Sequence, residues 1–353
     1  MPWSGEHLFY QLTHYREHHY RQPQHQQRRH RQPQHQQKSD PMTSRRKQVT
    51  TRKKGPDKPA PFSWFPPHML RAQKRLLEEI KTADLVLEIR DARLPRLSAN
   101  PTLDRIVAGR QRLIIFNKAS LADPQHNARW RRHYERMAVQ ALFLDVEEPS
   151  AANRILTRSK SILQPWAAAF RARDIRPPPP RLMVIGIPNV GKSTLVNRLL
   201  HSKRQPVAPH PGVTRRTGWV QLKGRMSLLD SPGVLLPRIE SERDAFRLSW
   251  TGAIPDSIVG AERLAVELIR DLSQRERVAM FDHPTLPIAR SDIPELILEK
   301  FAAARNMTIK GGKPDLTRAA ELLLREFRRG ILGAITFEHP EESSAGDADS
   351  QPS

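Results

Sequence analysis

The chain has 353 residues, with 59 Lys and Arg against 37 Asp and Glu, a formal charge of +22 and no cysteine. The lack of cysteine excludes a disulfide framework and any cysteine-ligated metal. No run approaches the ~18 apolar residues of a membrane-spanning helix, so any membrane contact would be peripheral. The 38% hydrophobic content suffices for one core and a smaller second one, with room left for disorder.

Residues 1–60 are polar, rich in His and Gln, and internally duplicated: Arg21-Gln22-Pro23-Gln24-His25-Gln26-Gln27 recurs at Arg31-Gln32-Pro33-Gln34-His35-Gln36-Gln37. Nothing there can bury a core, and a disordered basic extension is expected. Met42 opens a stretch running through Arg45-Arg46-Lys47 to Arg52-Lys53-Lys54 that reads as a processed leader if translation starts there. The acid-poor composition is compatible with an organellar transit peptide, and the two basic triplets equally with a nuclear address.

Leu70, Leu76, Leu77 and Ile80 fall at the spacing of an amphipathic helix, and residues 85–89 begin the sheet. Residues 113–116 form a buried-strand run that delivers Asn117 and Lys118 to its carboxyl end, where open α/β sheets bind ligands. Asn117-Lys118-Ala119-Ser120 has the form of the NKxD base-recognition motif, in which the Asn bonds the base, the Lys stem lies along the ring and the Asp accepts two N–H bonds from guanine. The fourth position here is Ser120, so a charge-assisted contact worth roughly 1–3 kcal/mol is missing. On this reading Ser120→Asp sharpens guanine preference. Asp123 stands three residues further on, but Pro124 behind it favours a helix cap over a substitute base contact. Residues 142–146 are predicted as the next strand, and Asp145 and Val146 are offered by position as the loop that backs the base.

After a stiff proline connector at residues 177–180, residues 182–185 form an apolar strand that runs into Gly186-Ile187-Pro188-Asn189-Val190-Gly191-Lys192-Ser193. This is GxxxxGKS, and Thr194 continues it into residues of helical spacing. Such a loop turns consecutive backbone N–H groups, including that of Val190, toward phosphate oxygens. Lys192 adds a point charge and Ser193 a hydroxyl for magnesium. His210-Pro211-Gly212-Val213-Thr214 follows, where the Thr214 hydroxyl would reach magnesium. Residues 226–229 then form a strand ending in Asp230-Ser231-Pro232-Gly233. Asp230 would hold the metal through water, and the Gly233 N–H would meet the γ-phosphate. Lys192, Thr214 and Gly233 are therefore the candidate catalytic groups. Val234 stands where many nucleotide switches carry the glutamine that orients the attacking water, so either the switch does not hydrolyse or another group completes the site. Beyond residue 236, helices are predicted over residues 257–272, 292–305 and 315–329, and the acidic end is expected to be disordered.

The base-recognition piece precedes the phosphate loop, the reverse of the usual order. The expected fold class is α/β: a P-loop domain of circularly permuted motif order at residues 61–235, with a mostly parallel sheet flanked by helices. A smaller all-α domain is expected at 236–338 and a tail at 339–353. The segment that senses γ-phosphate then feeds directly into the helical domain.

With Asn117-Lys118-Ala119-Ser120, the phosphate loop, Pro211-Gly212-Val213-Thr214 and Asp230-Ser231-Pro232-Gly233 in this order, the chain resembles the circularly permuted ribosome-assembly GTPases, the family of mitochondrial ribosome-associated GTPase 1 and bacterial ribosome biogenesis GTPase A. Further matching stretches are Trp64-Phe65-Pro66-Pro67-His68-Met69, Asp91-Ala92-Arg93-Leu94-Pro95, Gly311-Gly312-Lys313-Pro314-Asp315 and Gly330-Ile331-Leu332-Gly333. Ser120 and Pro67 depart from the family pattern. The resemblance implies GTP and magnesium as ligands and hydrolysis coupled to maturation of the large ribosomal subunit. It further implies potassium, held partly by Asn189, in place of a catalytic cation. It also places the protein in mitochondria, in the matrix or peripheral on the inner membrane, with the nucleolus or bacterial cytoplasm as alternatives, and as a monomer off the ribosome.

The first 60 residues carry 13 basic and 4 acidic side chains, so the remainder holds the larger share of the positive excess. That excess calls for a polyanionic partner, and RNA within the large subunit and its precursors fits best. Arg215, Arg216, Lys310, Lys313, Arg325, Arg328 and Arg329 are the candidate contacts. The rival readings are an RNA-binding scaffold that holds nucleotide without turning it over, and an ATP-using P-loop protein.

Overall fold

Three largely apolar segments become the middle of a sheet: β1 (Leu85–Asp91), which also buries Glu88, Arg90 and Asp91, β2 (Gln111–Asn117) and β4 (Arg181–Gly186). They are buried on both faces apart from the leading residues of β2 and β4, as parallel strands covered by helices on both sides require. The computed structural model describes residues 78–99, 107, 111–201, 219–222, 226–229, 233–234, 239–281 and 287–340. The N-terminal extension, the helix residues before 78, Thr214, Arg215, Arg216, Asp230 and the acidic end lie outside the described residues.

Strands β3 (Ala141–Phe143), β5 (Trp219–Leu222), β6 (Met226–Leu229) and β7 (Gly233–Val234) complete a sheet of order β3-β2-β1-β4-β6-β5, with β7 pairing β4. All pairs are parallel except β5 on β6. Asp91 stands opposite Asn117 in register, so β2 and β4 flank β1 with their carboxyl ends at one edge. The strand carrying the base-recognition turn therefore precedes the phosphate strand in the chain, as the permuted order requires. β3 is shorter than predicted and ends at Phe143, which leaves Asp145 and Val146 in the following loop.

Helix α1 (Pro124–Arg136) begins on Asp123, whose carboxylate accepts from the N–H groups of Gln125 (2.8 Å) and His126 (3.2 Å). The cap reading of Asp123 holds. Trp130 and Tyr134 of α1 pack with Phe116 and Phe143, and the Phe116 and Phe143 rings stack at 4.4 Å. Helices α2 (Ala151–Ile162) and α3 (Gln164–Arg171) lead through the extended proline run to β4, and α4 (Lys192–His201) follows the phosphate loop.

The remaining described elements are helical. Helix α5 (Glu242–Trp250) starts on a reciprocal cap between Ser241 and Asp244, and α9 (Leu316–Arg328) starts on the Asp315 side chain. The predicted helix over 257–272 divides at Gly260 into α6 (Asp256–Val259) and α7 (Ala261–Gln274). Helix α8 (Pro294–Ala304) completes the group. Residues 335–338, assigned from sequence to the helical domain, are extended and lie on the nucleotide half. The Ile335 N–H donates to the Leu121 carbonyl (2.9 Å) and the Phe337 N–H to that of Arg93 (3.0 Å). Glu338 is 2% exposed, and its carboxylate accepts from the N–H groups of Arg96 (2.7 Å) and Leu97 (3.0 Å). Burial nevertheless pushes its pKa up.

Trp130 fastens this returning segment to α1 through a 3.1 Å bond from its indole N–H to the Glu338 carbonyl. Trp130→Ala is expected to cost about 3–5 kcal/mol of unfolding free energy in urea, as for other buried aromatics, and Trp130→Phe appreciably less. A loss below about 1 kcal/mol for the alanine variant would contradict this packing.

Candidate functional site

The two glycines of GxxxxGKS serve different ends. A Cβ on Gly186 would lie 2.5 Å from the Ile89 carbonyl oxygen, so the chain can leave the sheet against β1 only without a side chain. Gly191 has φ +105°, and a Cβ there would lie 2.3 Å from Asn117 Nδ2. The phosphate loop thus closes directly onto the base-recognition turn.

Asn117 makes that junction. It is 4% exposed, its Nδ2 donates to the Val190 carbonyl (2.7 Å), and its Oδ1 accepts from the Val146 N–H (2.9 Å). The sequence reading gave it a base contact, whereas here its amide is spent first on the protein, joining the loops that follow β2, β3 and β4. Lys118 sits in the left-handed region (φ 61°). Its Nζ donates to the Asn189 carbonyl (2.8 Å) and pairs with Asp91 Oδ2 at 3.1 Å. Arg93 grips Asp91 through Nε (2.9 Å), a terminal nitrogen (2.8 Å) and its own backbone N–H (3.0 Å). Burial pushes the Asp91 carboxyl up, but Arg93 and Lys118 outweigh it and hold the group well below the usual carboxylate range. Asp91 is a positioning residue that sequence reasoning quoted without a role. Its signal was an acid at a strand end with an arginine two residues later.

Lys192 is 7% exposed, and its ammonium donates to the Ile187 carbonyl at 2.6 Å. Burial pushes its pKa down to about 8. An ammonium has three donors, and a buried one gains from an anion. Ser193 and Thr194 follow it in the first turn of α4, where the helix end favours negative charge.

One cavity of about 820 Å³ contains both ends of the arrangement. Asn117, Lys118, Ser120, Asp145 and Val146 line it together with Asn189, Gly191, Lys192, Ser193 and Thr194. Of the other predicted residues, Val190 is buried beneath the loop and acts through its carbonyl. Ala119 lies in a 3-10 turn (Ala119–Leu121), and its carbonyl accepts from Asn127. Gly233 is brought beside the phosphate strand by pairing opposite Ile185. The volume lies within the range of small-ligand pockets. The buried ammonium, the turned loop and the helix N-terminus fit a polyphosphate. Among the described residues only Ser193 of the magnesium set is present, and no group of three or more His, Asp or Glu could hold a metal there.

The helical half also reaches the site, through contacts sequence reasoning missed. Asn189 Nδ2 donates to the Gly252 carbonyl at 2.6 Å, which leaves Oδ1 as an oxygen donor. Arg328 and Arg329 of the α9 end line the cavity. Arg328 is withdrawn from the predicted set of RNA contacts, because it pairs with Asp256 and donates to the carbonyls of Ser249 (2.7 Å) and Trp250 (3.1 Å). Lys310 and Lys313 are exposed on a tight turn closed by the Ile309 N–H to the Lys313 carbonyl.

Residues 181–286 match the family described as 50S ribosome-binding GTPase. The chain is 37% identical over 286 residues to ribosome biogenesis GTPase A of Priestia megaterium, covering 80% of this chain and 98% of that protein. It is 30% identical over 294 residues to mitochondrial ribosome-associated GTPase 1 of Mus musculus, covering 78% of this chain and 89% of that one. The crystal structure of GNP-bound YlqF from T. maritima shares the fold, with a TM-score of 0.59 at 24% identity over 77% of this chain and 99% of that one. A relative matched over nearly its whole length at such identity settles the family, and the chain belongs to the ribosome biogenesis GTPases of the A type, circularly permuted enzymes built on a phosphate loop.

Proposed function

We propose that the cavity binds GTP with magnesium, and that its hydrolysis to GDP and phosphate times the release of this protein from an assembling large ribosomal subunit, in a mitochondrion. The observation that carries the reading is the bridge Asn117 makes between the phosphate loop and the loop after β3. It gives one cavity a phosphate end and a base end.

In this reading Lys192 and the N–H groups of the loop hold the β- and γ-phosphates. Ser193, Thr214 and Asp230 hold magnesium, which offsets phosphate charge when bound, and the Gly233 N–H meets the γ-phosphate. Val234 follows Gly233 in β7, so no glutamine orients water from that position. Asn189 Oδ1 is the group offered to potassium, whose positive charge would compensate that of the transition state. Hydrolysis is accordingly slow alone and stimulated on ribosomal particles. The domain division at residue 235 makes β7 the link between phosphate sensing and the helical half. Exposed Lys310, Lys313, Arg325 and Arg329 would meet ribosomal RNA by charge and shape, with the protein itself monomeric. Mitochondrial and bacterial relatives alike support a ribosomal setting.

Lys192→Ala is expected to weaken GTP and GDP binding by about 10- to 100-fold in calorimetry, the worth of a charge-assisted hydrogen bond. Unchanged affinity would remove the phosphate end from the site. The pH dependence follows from the Lys192 pKa of about 8 in the free protein. Phosphate raises that pKa by favouring the charged form, so binding takes up a proton above pH 8 and affinity falls as pH rises through that value. Calorimetry at pH 9 in buffers of different ionisation enthalpy measures the uptake, and none would contradict it. Co-sedimentation with large-subunit precursors should differ between the GTP- and GDP-bound forms, and single-turnover phosphate release should accelerate with those particles and potassium. Intact nucleotide binding with no stimulated release would favour a scaffold that holds nucleotide without turning it over.

A further inference from the structure

Ser120 leaves the base-recognition turn without its carboxylate, and we infer that Asp145, from the loop after β3, supplies the carboxylate that reads the Watson–Crick edge of guanine. The inference rests on the cavity being a nucleotide site. Asp145 is half-buried and lines that cavity beside Lys118 and Ser120, and its two carboxylate oxygens accept from the Ser120 N–H at 3.2 and 3.4 Å. An acid 25 residues further along the chain, past the next strand, thus stands against the residue whose side chain would otherwise have carried the carboxylate.

Of the other nearby carboxylates three are committed, and Glu147, exposed on the same cavity, is the rival that the test includes. Asp123 caps α1 and meets Arg277 at 3.5 Å. Asp91 is held between Arg93 and Lys118. Glu148 sits 3.7 Å from Arg154. Asp145, by contrast, uses its side chain among the described residues only on a long, shared bond from Ser120, and a carboxylate has about four lone-pair positions.

Its loop is also held in place. The Leu144 N–H donates to the Phe116 carbonyl (3.1 Å), the Val146 N–H to Asn117 Oδ1 (2.9 Å) and the Glu148 N–H to the Asp145 carbonyl (3.0 Å). These bonds fix the carboxylate relative to the turn without any contribution from the ligand. Guanine presents a ring N–H and an exocyclic amino group side by side, two donors that match the two oxygens of one carboxylate. Adenine presents no such pair. An aspartate introduced at position 120 would stand against Asp145, so Ser120→Asp alone should weaken GDP binding by like-charge repulsion rather than sharpen it.

The test uses the full chain and calorimetric affinities for GDP, IDP, XDP and ADP. The wild type should prefer GDP over IDP, which lacks the exocyclic amino group. Asp145→Asn should lose GDP affinity by about tenfold or more and gain XDP, because an amide can donate to the second carbonyl of xanthine. The swap Ser120→Asp with Asp145→Ser should recover GDP binding lost in Ser120→Asp. GDP binding by the wild type that Asp145→Asn leaves intact, with no gain of XDP, would overturn the Asp145 assignment while sparing the nucleotide site. So would the same switch arising from Glu147→Gln instead. Failure of the wild type to bind any of the four would overturn the site and the assignment together.

Discussion

The side-chain amide of Asn117 is the contact on which the remaining geometry depends. Its two hydrogen bonds span the carboxyl ends of three parallel strands, joining the Val190 carbonyl to the Val146 N–H. A buried amide of this kind is costly to leave unpaired, so its commitment to both loops makes each loop's position a condition of the other's. The glycine at 191 exists in that setting because nothing larger fits against the amide. The phosphate loop, the lysine of the recognition turn and the Asp145 loop are consequently one assembly, although the chain visits them in reversed order.

A second layer ties this assembly to the helices. Asn189 reaches the Gly252 carbonyl from the phosphate loop, and Arg93 stacks over Phe327 at 5.5 Å from beneath the recognition turn. The Phe337 N–H returns to the Arg93 carbonyl. Asn189 lines the pocket, and Arg93 is linked to it through Asp91 and Lys118, so the first two contacts tie the pocket's surroundings to the helical half. Permutation also places β7, which pairs with the phosphate-loop strand and which the proposed function assigns to the γ-phosphate, before that half in the chain. On the proposed function, a change at the phosphate would have both a covalent and a packed route to the helices, the kind of arrangement in which a small local shift moves a whole element.

Much of this was legible in the residues themselves. The strands announce themselves through the apolar residues at 113–116 and 182–185 and those around Glu88 at 85–89, and the phosphate loop does so because phosphate chemistry permits few alternatives at its glycines and lysine. Asp123 was readable as a cap from the proline behind it. What escaped were contacts with no periodicity. The approach of Asp145 to Ser120 depends on β3 ending early, and the Asn189 bond to Gly252 spans 63 residues. The extended return of residues 335–338 is too short to show alternation, and Arg328 looked free only because its partner Asp256 lies on another helix.

The most direct measurement is a crystal structure of the chain bound to GDP. The expected result has the β-phosphate against the Lys192 ammonium and the loop N–H groups, with the base beside the Lys118 stem and Asn117 still joined to Val190. A nucleotide held elsewhere, or one that contacts Lys192 while its base points away from Lys118 and Asp145, would contradict the single-pocket arrangement.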